Sequence, residues 1–264
     1  MYETTYHRPS SVDEAVALFA KGSESKYLAG GHTLLPTLRA RLAEPSALVD
    51  LGGIAELKGI KAEAGGITIG AATTHHDVHH SAEVKKTIPA LSHLASLIGD
   101  RQVRNRGTIG GSLANNDPAA DYPAAALALG ATIRTNKREI KADDFFKGMF
   151  ETALAEGEII TAVHFPKPEK AGYEKFRQPA SRFCLVGVLV AKTKAGVRVA
   201  VTGAGPSVFR SKELEAALGA NFTADAAKGV KVSAAGLNAD LHGTPEYRAA
   251  LVSAMAARAV ASAS

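Results

Sequence analysis

Short runs in which apolar and polar residues alternate predict strands in this chain, and runs with apolar residues three and four positions apart predict the helices between them. The first helix is predicted to begin after Ser11, because Ser11 and Glu14 form a capping box and an apolar face follows over residues 15–19. Gly22 is expected to stop this helix. The elements predicted next in the front two thirds of the chain are strand 26–31, helix 34–42, strands 46–52 and 65–74, helices from 75 and over 89–98, a loop over 107–123, helix 126–130, and strands 131–135 and 158–166.

The last third of the chain differs, because long β-branched runs there predict an antiparallel meander. Strands are expected over 173–178, 184–193 and 196–203, and helices at about 211–218, 223–235 and 244–262. Pro166 and Pro168 mark a boundary between the two parts. The predicted fold class is therefore α+β, and the expected units are 1–60, 61–168 and 173–264.

Composition narrows the class of protein further. The chain has 264 residues, of which 46% are apolar and 22% are charged, as is typical of a packed protein of one or two domains. No apolar run approaches the ~20 residues that a bilayer-spanning helix needs, and the polar N-terminus lacks the pattern of a secretion signal. We therefore expect a cytoplasmic protein without a transmembrane segment.

Charge and cysteine content exclude two further classes. The net charge of +5, from 31 basic and 26 acidic residues, can attract an anion such as nucleic acid. Aromatic residues make up only 6% and tryptophan is absent, so there are few platforms for base stacking and no nucleic acid partner is expected. The single cysteine, Cys184, excludes an intramolecular disulfide and an iron–sulfur cluster held by this chain's own thiolates.

Two glycine loops carry the candidate chemistry. The first, AGGHTLLP, starts at Ala29 between a predicted strand and a predicted helix. The missing side chains at Gly30 and Gly31 allow the backbone amides to approach an anion, and the helix N-terminus adds positive potential. This is the chemistry that a pyrophosphate needs, although a Gly-Gly turn alone is also compatible with a plain turn. The spacing is not the G-x-G-x-x-G of a Rossmann site.

The second loop, RNRGTIGGSLAN, again has two adjacent glycines with hydroxyl residues on both sides. The arginines before it, at 101, 104 and 106, are equally compatible with a solvated helix end. Asp117 and Asp121 follow, and either carboxylate could accept hydrogen bonds from a ribose or an adenine, or cap a turn. Two such loops in one chain favour a ligand with two phosphates. A valine at Gly31 or Gly110 is expected to occupy the path of the pyrophosphate.

The order of four motifs resembles one known family. The motifs are AGGHTLLP, RNRGTIGGSLANNDPAADYP, VTGAGPSVFRSKELEAAL and NADLHGTPEYRAALVSAMAARAV. They occur in this order in the flavoprotein (medium) subunits of molybdenum hydroxylases, which include aerobic carbon monoxide dehydrogenases and bacterial members of the xanthine dehydrogenase family. The resemblance covers essentially the whole chain. It implies an oxidoreductase with a two-subdomain FAD-binding fold of the vanillyl-alcohol-oxidase (PCMH) type, in which 1–60 and 61–168 are the subdomains. A C-terminal domain with a three-stranded antiparallel sheet and helices is implied for 173–264.

The resemblance also implies a non-covalent FAD site, residue by residue. One side of the pyrophosphate is assigned to Ala29, Gly30, Gly31, His32, Thr33 and Leu34. The other side is assigned to Thr108, Gly110, Gly111 and Ser112. Asp121 is assigned to the adenosine end, the backbone of Ile160 to the adenine or flavin portion, and Ile98 to the pocket wall. Phe183 stands where many relatives have a tyrosine near the flavin ring, which leaves any role of that hydroxyl open.

The family role is electron relay between subunits. A separate large subunit with the molybdenum cofactor oxidises the substrate, and a separate small subunit carries two [2Fe–2S] clusters. The FAD of this subunit passes the electrons to an external acceptor, and the resemblance implies a dimer of heterotrimers. No residue of this chain is expected to be catalytic by itself, because the redox chemistry belongs to the cofactor.

Two histidine patterns in the sequence are also compatible with other kinds of site. The histidines at 75, 76, 79 and 80 have the i,i+4 spacing of zinc ligands, but a physiological metal site is not expected there. His32 follows two glycines, as do histidines that bond covalently to flavin in some oxidases, but those chains carry a further substrate domain. Two other functions remain open: a free-standing flavin oxidoreductase with its own small substrate, and a non-redox nucleotide-binding module.

Overall fold

The computed structural model describes residues 2–264, and its first sheet is small and parallel. In chain order the first elements are β1 (Thr5–His7), α1 (Val12–Phe19), β2 (Ser25–Leu28), α2 (Leu34–Arg39) and β3 (Ala47–Asp50). The strand order is β1-β3-β2, and both pairings are parallel. Two short 3-10 turns follow β3, at Leu51–Gly53 and Ala55–Leu57. The strand, helix and strand predicted over 26–31, 34–42 and 46–52 are therefore present as β2, α2 and β3, with the additional edge strand β1.

The second sheet is antiparallel and has five strands in the order β4-β5-β10-β6-β7. The elements of this part are β4 (Ile60–Glu63), β5 (Gly66–Gly70), α3 (His75–His80), α4 (Ala82–Thr87), α5 (Pro89–Ser96), α6 (Arg101–Arg106), α7 (Ile109–Asn115), α8 (Tyr122–Leu129), β6 (Thr132–Thr135), β7 (Glu139–Lys141), α9 (Ala142–Phe145), β8 (Phe146–Gly148), β9 (Glu151–Thr152) and β10 (Ile160–Pro166). β8 and β9 form a separate hairpin. All eight residues of α8 are buried, so this helix lies at the centre of the core between the second sheet and the third sheet, which is described next.

The third sheet is an antiparallel meander covered by helices. Its elements are β11 (Lys170–Arg177), β12 (Cys184–Thr193), β13 (Gly196–Thr202), β14 (Phe209–Arg210), α10 (Lys212–Ala220), α11 (Ala224–Lys228) and α12 (Pro245–Ala261). The strand order is β11-β12-β13-β14, so the sheet has one strand more than the three expected. β12 is buried along eight of its ten residues, because α12 packs on one face of the sheet and α8 on the other.

Two secondary-structure predictions were wrong. The segment 107–123 was expected to be a loop, but it contains α7, whose N-terminus is capped by Thr108. The helix expected over 223–235 ends at Lys228, because Gly229 and the β-branched residues after it do not continue the helix. Within residues 2–264, no helix is both long and apolar enough to cross a membrane.

The third sheet is joined to the middle of the chain by hydrogen bonds at the end of β13. Thr202 Oγ1 donates to the carbonyl oxygens of Pro118 (3.0 Å) and Ala120 (2.6 Å), and Gly203 N donates to Pro118 at 2.8 Å. The buried Arg248 of α12 in turn donates to the carbonyl oxygen of Gly203 at 3.0 Å. The loop 116–121 is therefore held by the C-terminal part of the chain.

Candidate functional site

A cavity of about 720 Å³ lies between the glycine loop after β2 and the glycine-rich start of α7. The end of β5, the turn after α5 and the loop between β11 and β12 close its other sides. The volume is within the range of about 300–1,000 Å³ that small-molecule sites occupy. Every residue that the resemblance assigned to FAD lies in the lining of this cavity: Ala29, Gly30, Gly31, His32, Thr33, Leu34, Ile98, Thr108, Gly110, Gly111, Ser112, Asp121, Ile160 and Phe183.

The two glycine loops are in direct backbone contact. A Cβ added to Gly30 would lie 2.3 Å from the carbonyl oxygen of Arg106 and 2.8 Å from Gly107 Cα. A Cβ added to Gly111 would lie 3.4 Å from Ala29 Cβ. Glycine is therefore required at 30 for the two loops to approach each other, and both loops face the same ligand space.

The first loop supplies free backbone donors. Within the described part of the chain, the amide groups of Gly30, Gly31, His32 and Thr33 have no acceptor. Gly31 has a φ of +79°, a conformation that favours glycine and that turns the chain into α2. Successive unpaired amides of this kind at the start of a helix form an anion-binding nest.

The second loop differs from the sequence interpretation, because its amides are already bonded within the fold. Gly110 N donates to the carbonyl oxygen of Ala71 at 2.9 Å, and Gly111 N donates to Thr108 Oγ1 at 3.1 Å. What this loop presents to the cavity is the Ser112 hydroxyl, which has no hydrogen-bond partner among residues 2–264, and the N-terminal end of α7.

Gly110 is required by packing. A Cβ on Gly110 would lie 2.5 Å from Ala71 Cβ and 2.8 Å from the Ala71 carbonyl oxygen, so it would push α7 away from the end of β5. From the sequence, a side chain at 110 was expected to occupy the path of the pyrophosphate. The structure gives a different reason why glycine is needed there, namely the contact with Ala71. At Gly31 the close neighbour is Leu35 Cδ1, at 2.9 Å, and the positive φ is the stronger constraint.

Asp121 lines the cavity and is buried. Its carboxylate accepts a hydrogen bond from the hydroxyl of Tyr173 and lies 2.9 Å from Lys175 Nζ. Burial raises the pKa of the Asp121 carboxyl, and the ammonium of Lys175 opposes that rise. The side chain assigned to adenosine is thus fixed by the C-terminal sheet. Asp117, by contrast, accepts from Ala119 N at 2.8 Å and caps a turn.

Lys175 is a residue that sequence reasoning missed. Its side chain is only 2% exposed, and an almost fully buried lysine needs a charged partner. The signal that could have found it is the alternation of β11, which places Tyr173 and Lys175 on the same face of the strand. Their target, Asp121, is more than fifty positions away and could not be deduced from spacing.

His75 also lines the cavity and is buried. Burial lowers the pKa of its imidazole to about 3, and the charges of His32 and Arg104 act in the same direction. The imidazole is therefore neutral near pH 7. Its Nδ1 has no hydrogen-bond partner in the part of the chain that the structure describes.

The other histidines of α3 bond to nearby backbone. His79 Nδ1 lies 3.1 Å from the carbonyl oxygen of Ser92, and His80 Nδ1 lies 2.8 Å from that of His76. Residues 2–264 contain no group of three or more His, Cys, Asp or Glu side chains arranged for a metal ion.

The cavity is open to solvent beside the loop between β11 and β12. Ile98 and Gly99 form one wall, and Ser181, Arg182 and Phe183 form the other. Phe183 is 55% exposed, whereas Ile160 and Asp121, which also line the cavity, are 5% and 6% exposed. The lining of the cavity therefore includes both buried and solvent-exposed side chains.

Comparison with known proteins finds an FAD-binding family model and relatives that are medium subunits of enzymes. The family model described as "FAD binding domain in molybdopterin dehydrogenase" matches residues 2–168. The chain is similar to the carbon monoxide dehydrogenase medium chain of Hydrogenophaga pseudoflava, with 36% identity over 97% of this chain and 95% of the relative. It is similar at 35% identity, with the same coverage, to the nicotine 6-hydroxylase medium subunit of Paenarthrobacter nicotinovorans.

Solved structures of two enzymes contain a chain with a closely similar fold. A chain of carbon monoxide dehydrogenase from Hydrogenophaga pseudoflava superposes with a TM-score of 0.88 at 37% identity. A chain of quinoline 2-oxidoreductase from Pseudomonas putida 86 superposes with a TM-score of 0.88 at 29% identity. Each comparison covers 98% of this chain and 96% of the other.

Proposed function

We propose a function from one premise: the chain belongs to the FAD-binding medium chains of the molybdopterin dehydrogenases. It is the flavoprotein subunit of a molybdenum-dependent oxidoreductase. It accepts electrons from [2Fe–2S] clusters on a separate small subunit and passes them to an external acceptor. The substrate is oxidised on a large subunit with the molybdenum cofactor, in a cytoplasmic dimer of heterotrimers.

The cavity between the two glycine loops carries this proposal. The unpaired amides of Gly30, Gly31 and His32 can donate to a pyrophosphate, and the Ser112 hydroxyl can donate from the opposite side. A hydrogen bond from an amide to a charged oxygen contributes about 1.5–3 kcal/mol. The contact of Gly30 with Arg106 leaves no space for a side chain in this cradle. The residues present therefore fit FAD.

The shape of the cavity orients the cofactor. Its buried end suits the adenosine, because apolar side chains such as Ile160 exclude water there. Its open end suits the flavin ring, because a ring that exchanges electrons with other proteins must lie near the surface. Bound FAD supplies the redox chemistry, and the chain supplies binding, orientation and charge.

The proposed function also assigns each of the three parts of the chain to a domain. We assign residues 1–60 and 61–168 to the two subdomains of a vanillyl-alcohol-oxidase (PCMH) type flavin fold, and 173–264 to the C-terminal flavoprotein domain. Each of the three larger sheets lies almost entirely within one part, which supports this division. FAD is bound without a covalent link, so acid precipitation is expected to leave the yellow colour in the supernatant.

The test is FAD binding and turnover by the purified full chain. We expect the chain to retain or regain FAD, seen as a visible flavin band, and to show no turnover of aldehydes, azaheterocycles or alcohols on its own. Native expression should co-purify a [2Fe–2S] subunit and a molybdenum subunit. Rapid flavin reduction by a small substrate without partners would indicate a free-standing oxidoreductase. Failure to bind FAD would indicate a non-redox nucleotide module.

A further inference from the structure

Two arginine side chains converge on one carbonyl oxygen at the open end of the cavity. Arg104 Nη1 donates to the carbonyl oxygen of Gly99 at 3.0 Å and to that of Ile98 at 2.9 Å. Arg182 Nη1 donates to the same Gly99 oxygen at 3.3 Å. The two guanidinium groups therefore lie on either side of a single acceptor, although one comes from α6 and the other from the loop after β11.

Neither positive charge is neutralised by the protein. Across residues 2–264, no carboxylate lies within 4.0 Å of the guanidinium nitrogens of Arg104 or Arg182. Guanidinium groups remain charged at any pH at which the protein is folded. Two unpaired like charges on one carbonyl make an electropositive site, which is stabilised when negative charge appears beside it.

Backbone conformation supports a role for this arrangement. Arg182 has a φ of +62°, in the left-handed region that residues other than glycine adopt at a cost of about 1–3 kcal/mol. The loop holds this conformation with a hydrogen bond from Arg182 N to the carbonyl oxygen of Gln178 at 2.9 Å. A strained residue that directs a charge towards a cavity is more typical of a ligand site than of a solvated surface loop.

The charges lie next to the ligand space. Ile98, Gly99 and Arg182 all line the open end of the cavity. The guanidinium of Arg104 is half-buried directly behind the Ile98–Gly99 wall, and its charge contributes to the low pKa of His75 on the same cavity. A negative charge formed beside Ile98 and Gly99 therefore lies against the wall that both guanidinium groups contact.

We propose that Arg104 and Arg182 stabilise the negative charge that FAD acquires on reduction, and thereby raise its reduction potential. The inference rests on the proposed function, which places the flavin ring at this end. The oxidised ring is neutral, and the addition of two electrons and one proton leaves it with one net negative charge. The electrons come from the iron–sulfur subunit and the proton from water. The arginines act through their charge and exchange no proton.

A purely structural role for Arg104 makes a different prediction. Its hydrogen bonds to Ile98 and Gly99 also cap the carbonyl groups after α5, as basic side chains commonly do at helix ends. Glutamine can keep one such hydrogen bond without the charge, and lysine keeps the charge with altered geometry. Arg104→Gln and Arg104→Lys therefore separate the charge from the cap.

The experiment is a spectroelectrochemical titration of the full chain loaded with FAD, in parallel with FAD-binding titrations. Variants are Arg104→Gln, Arg104→Lys and Arg182→Gln, and Arg101→Gln on the exposed side of α6 is the matched control. We expect oxidised FAD to bind within about threefold of wild type in all four. The affinity for reduced FAD should fall about tenfold in Arg104→Gln and in Arg182→Gln, which lowers the midpoint potential by about 30 mV.

The outcomes separate this inference from the proposed function. A wild-type potential in Arg104→Lys and Arg101→Gln, with lowered potentials in both glutamine variants at 104 and 182, supports the charge role. A wild-type potential in the two glutamine variants, or equal shifts in Arg104→Gln and Arg104→Lys, overturns it while FAD binding stands. Arg182 is exposed, so its variant tests the idea even if substitution at 104 impairs folding. If the wild-type chain binds no FAD, the proposed function itself fails.

Discussion

The contact between the two glycine loops makes Gly30→Ala the most informative single substitution. The added Cβ would lie 2.3 Å from the carbonyl oxygen and 2.8 Å from the carbonyl carbon of Arg106. Both atoms belong to the backbone at the end of α6, so no side-chain rotation relieves the overlap. The first loop must move away from the second by roughly 1 Å, because a carbon and an oxygen atom in contact need more than 3 Å.

The expected magnitude follows from two effects. Overpacking of one methyl group costs about 1–3 kcal/mol of folding free energy. Separation of the loops also misplaces the free amides at 30–33, and each lost hydrogen bond to a charged oxygen is worth about 1.5–3 kcal/mol. The affinity for FAD should therefore fall by about one to two powers of ten, while the secondary structure is retained.

The assay is FAD titration by flavin fluorescence, together with thermal unfolding of the FAD-free chain. Gly219→Ala is the matched control, because a Cβ at Gly219 meets nothing within 4 Å. This control should bind FAD like wild type and be slightly more stable, since alanine favours helix over glycine. Binding of FAD by Gly30→Ala within threefold of wild type would refute the view that the two loops act as one cradle.

Two further predictions concern buried charges near the cavity. Hydrogen bonds from Arg138, together with the positive charge of its guanidinium, hold the pKa of the Glu158 carboxyl at about 2, below the ordinary 4.5. The ionised Glu158 therefore stabilises the fold above pH 4.5, and this stabilisation is lost as the pH falls towards 2. Glu158→Gln should therefore flatten the fall of Tm between pH 4.5 and 2, and an unchanged slope would contradict this. Lys175→Met should destabilise the chain by about 3–5 kcal/mol in urea unfolding, because it leaves the Asp121 carboxyl buried without its cation. Adding Asp121→Asn to Lys175→Met should recover most of that loss, and simple additivity of the two single effects would show that the groups are not a pair.

Features that depend on neighbouring residues could be predicted from the sequence. The helix after Ser11 is an example, because Ser11 Oγ accepts from Glu14 N at 3.2 Å as its capping motif implies. The reciprocal hydrogen bond differs by one position, since the Glu14 carboxylate accepts from Ser10 N at 2.7 Å. All partners lie within four residues, so local spacing carries the information.

The helix α7 shows why other features could not be predicted. Its sequence IGGSLAN has two glycines, which disfavour helix when judged by propensity alone. The helix forms because the glycines allow close packing, with Gly110 against Ala71 and Gly111 near Ala29. These neighbours are 39 and 82 positions away in the chain, by subtraction of the residue numbers. Tertiary contacts therefore override the local preference.

Part of the candidate site could likewise be predicted from the sequence, and part of it could not. Glycine loops and hydroxyls could be read as anion-binding from their residue types, and the structure places them around one cavity. The charges that act on that cavity from the third sheet could not be read, because Lys175 and Arg182 meet their partners Asp121 and Gly99 only in the folded chain.

The hydrogen bonds from the end of β13 to Pro118 and Ala120 have a practical consequence for anyone who expresses parts of this protein. A fragment cut at the limits of the matched family region, 2–168, would contain both glycine loops but would lack the support of loop 116–121 and the wall formed by 181–183. Such a truncation removes one wall of the cavity and exposes the face of α8 that packs on β12 and β13. We therefore expect FAD binding to need a longer segment than the one that carries the signature motifs.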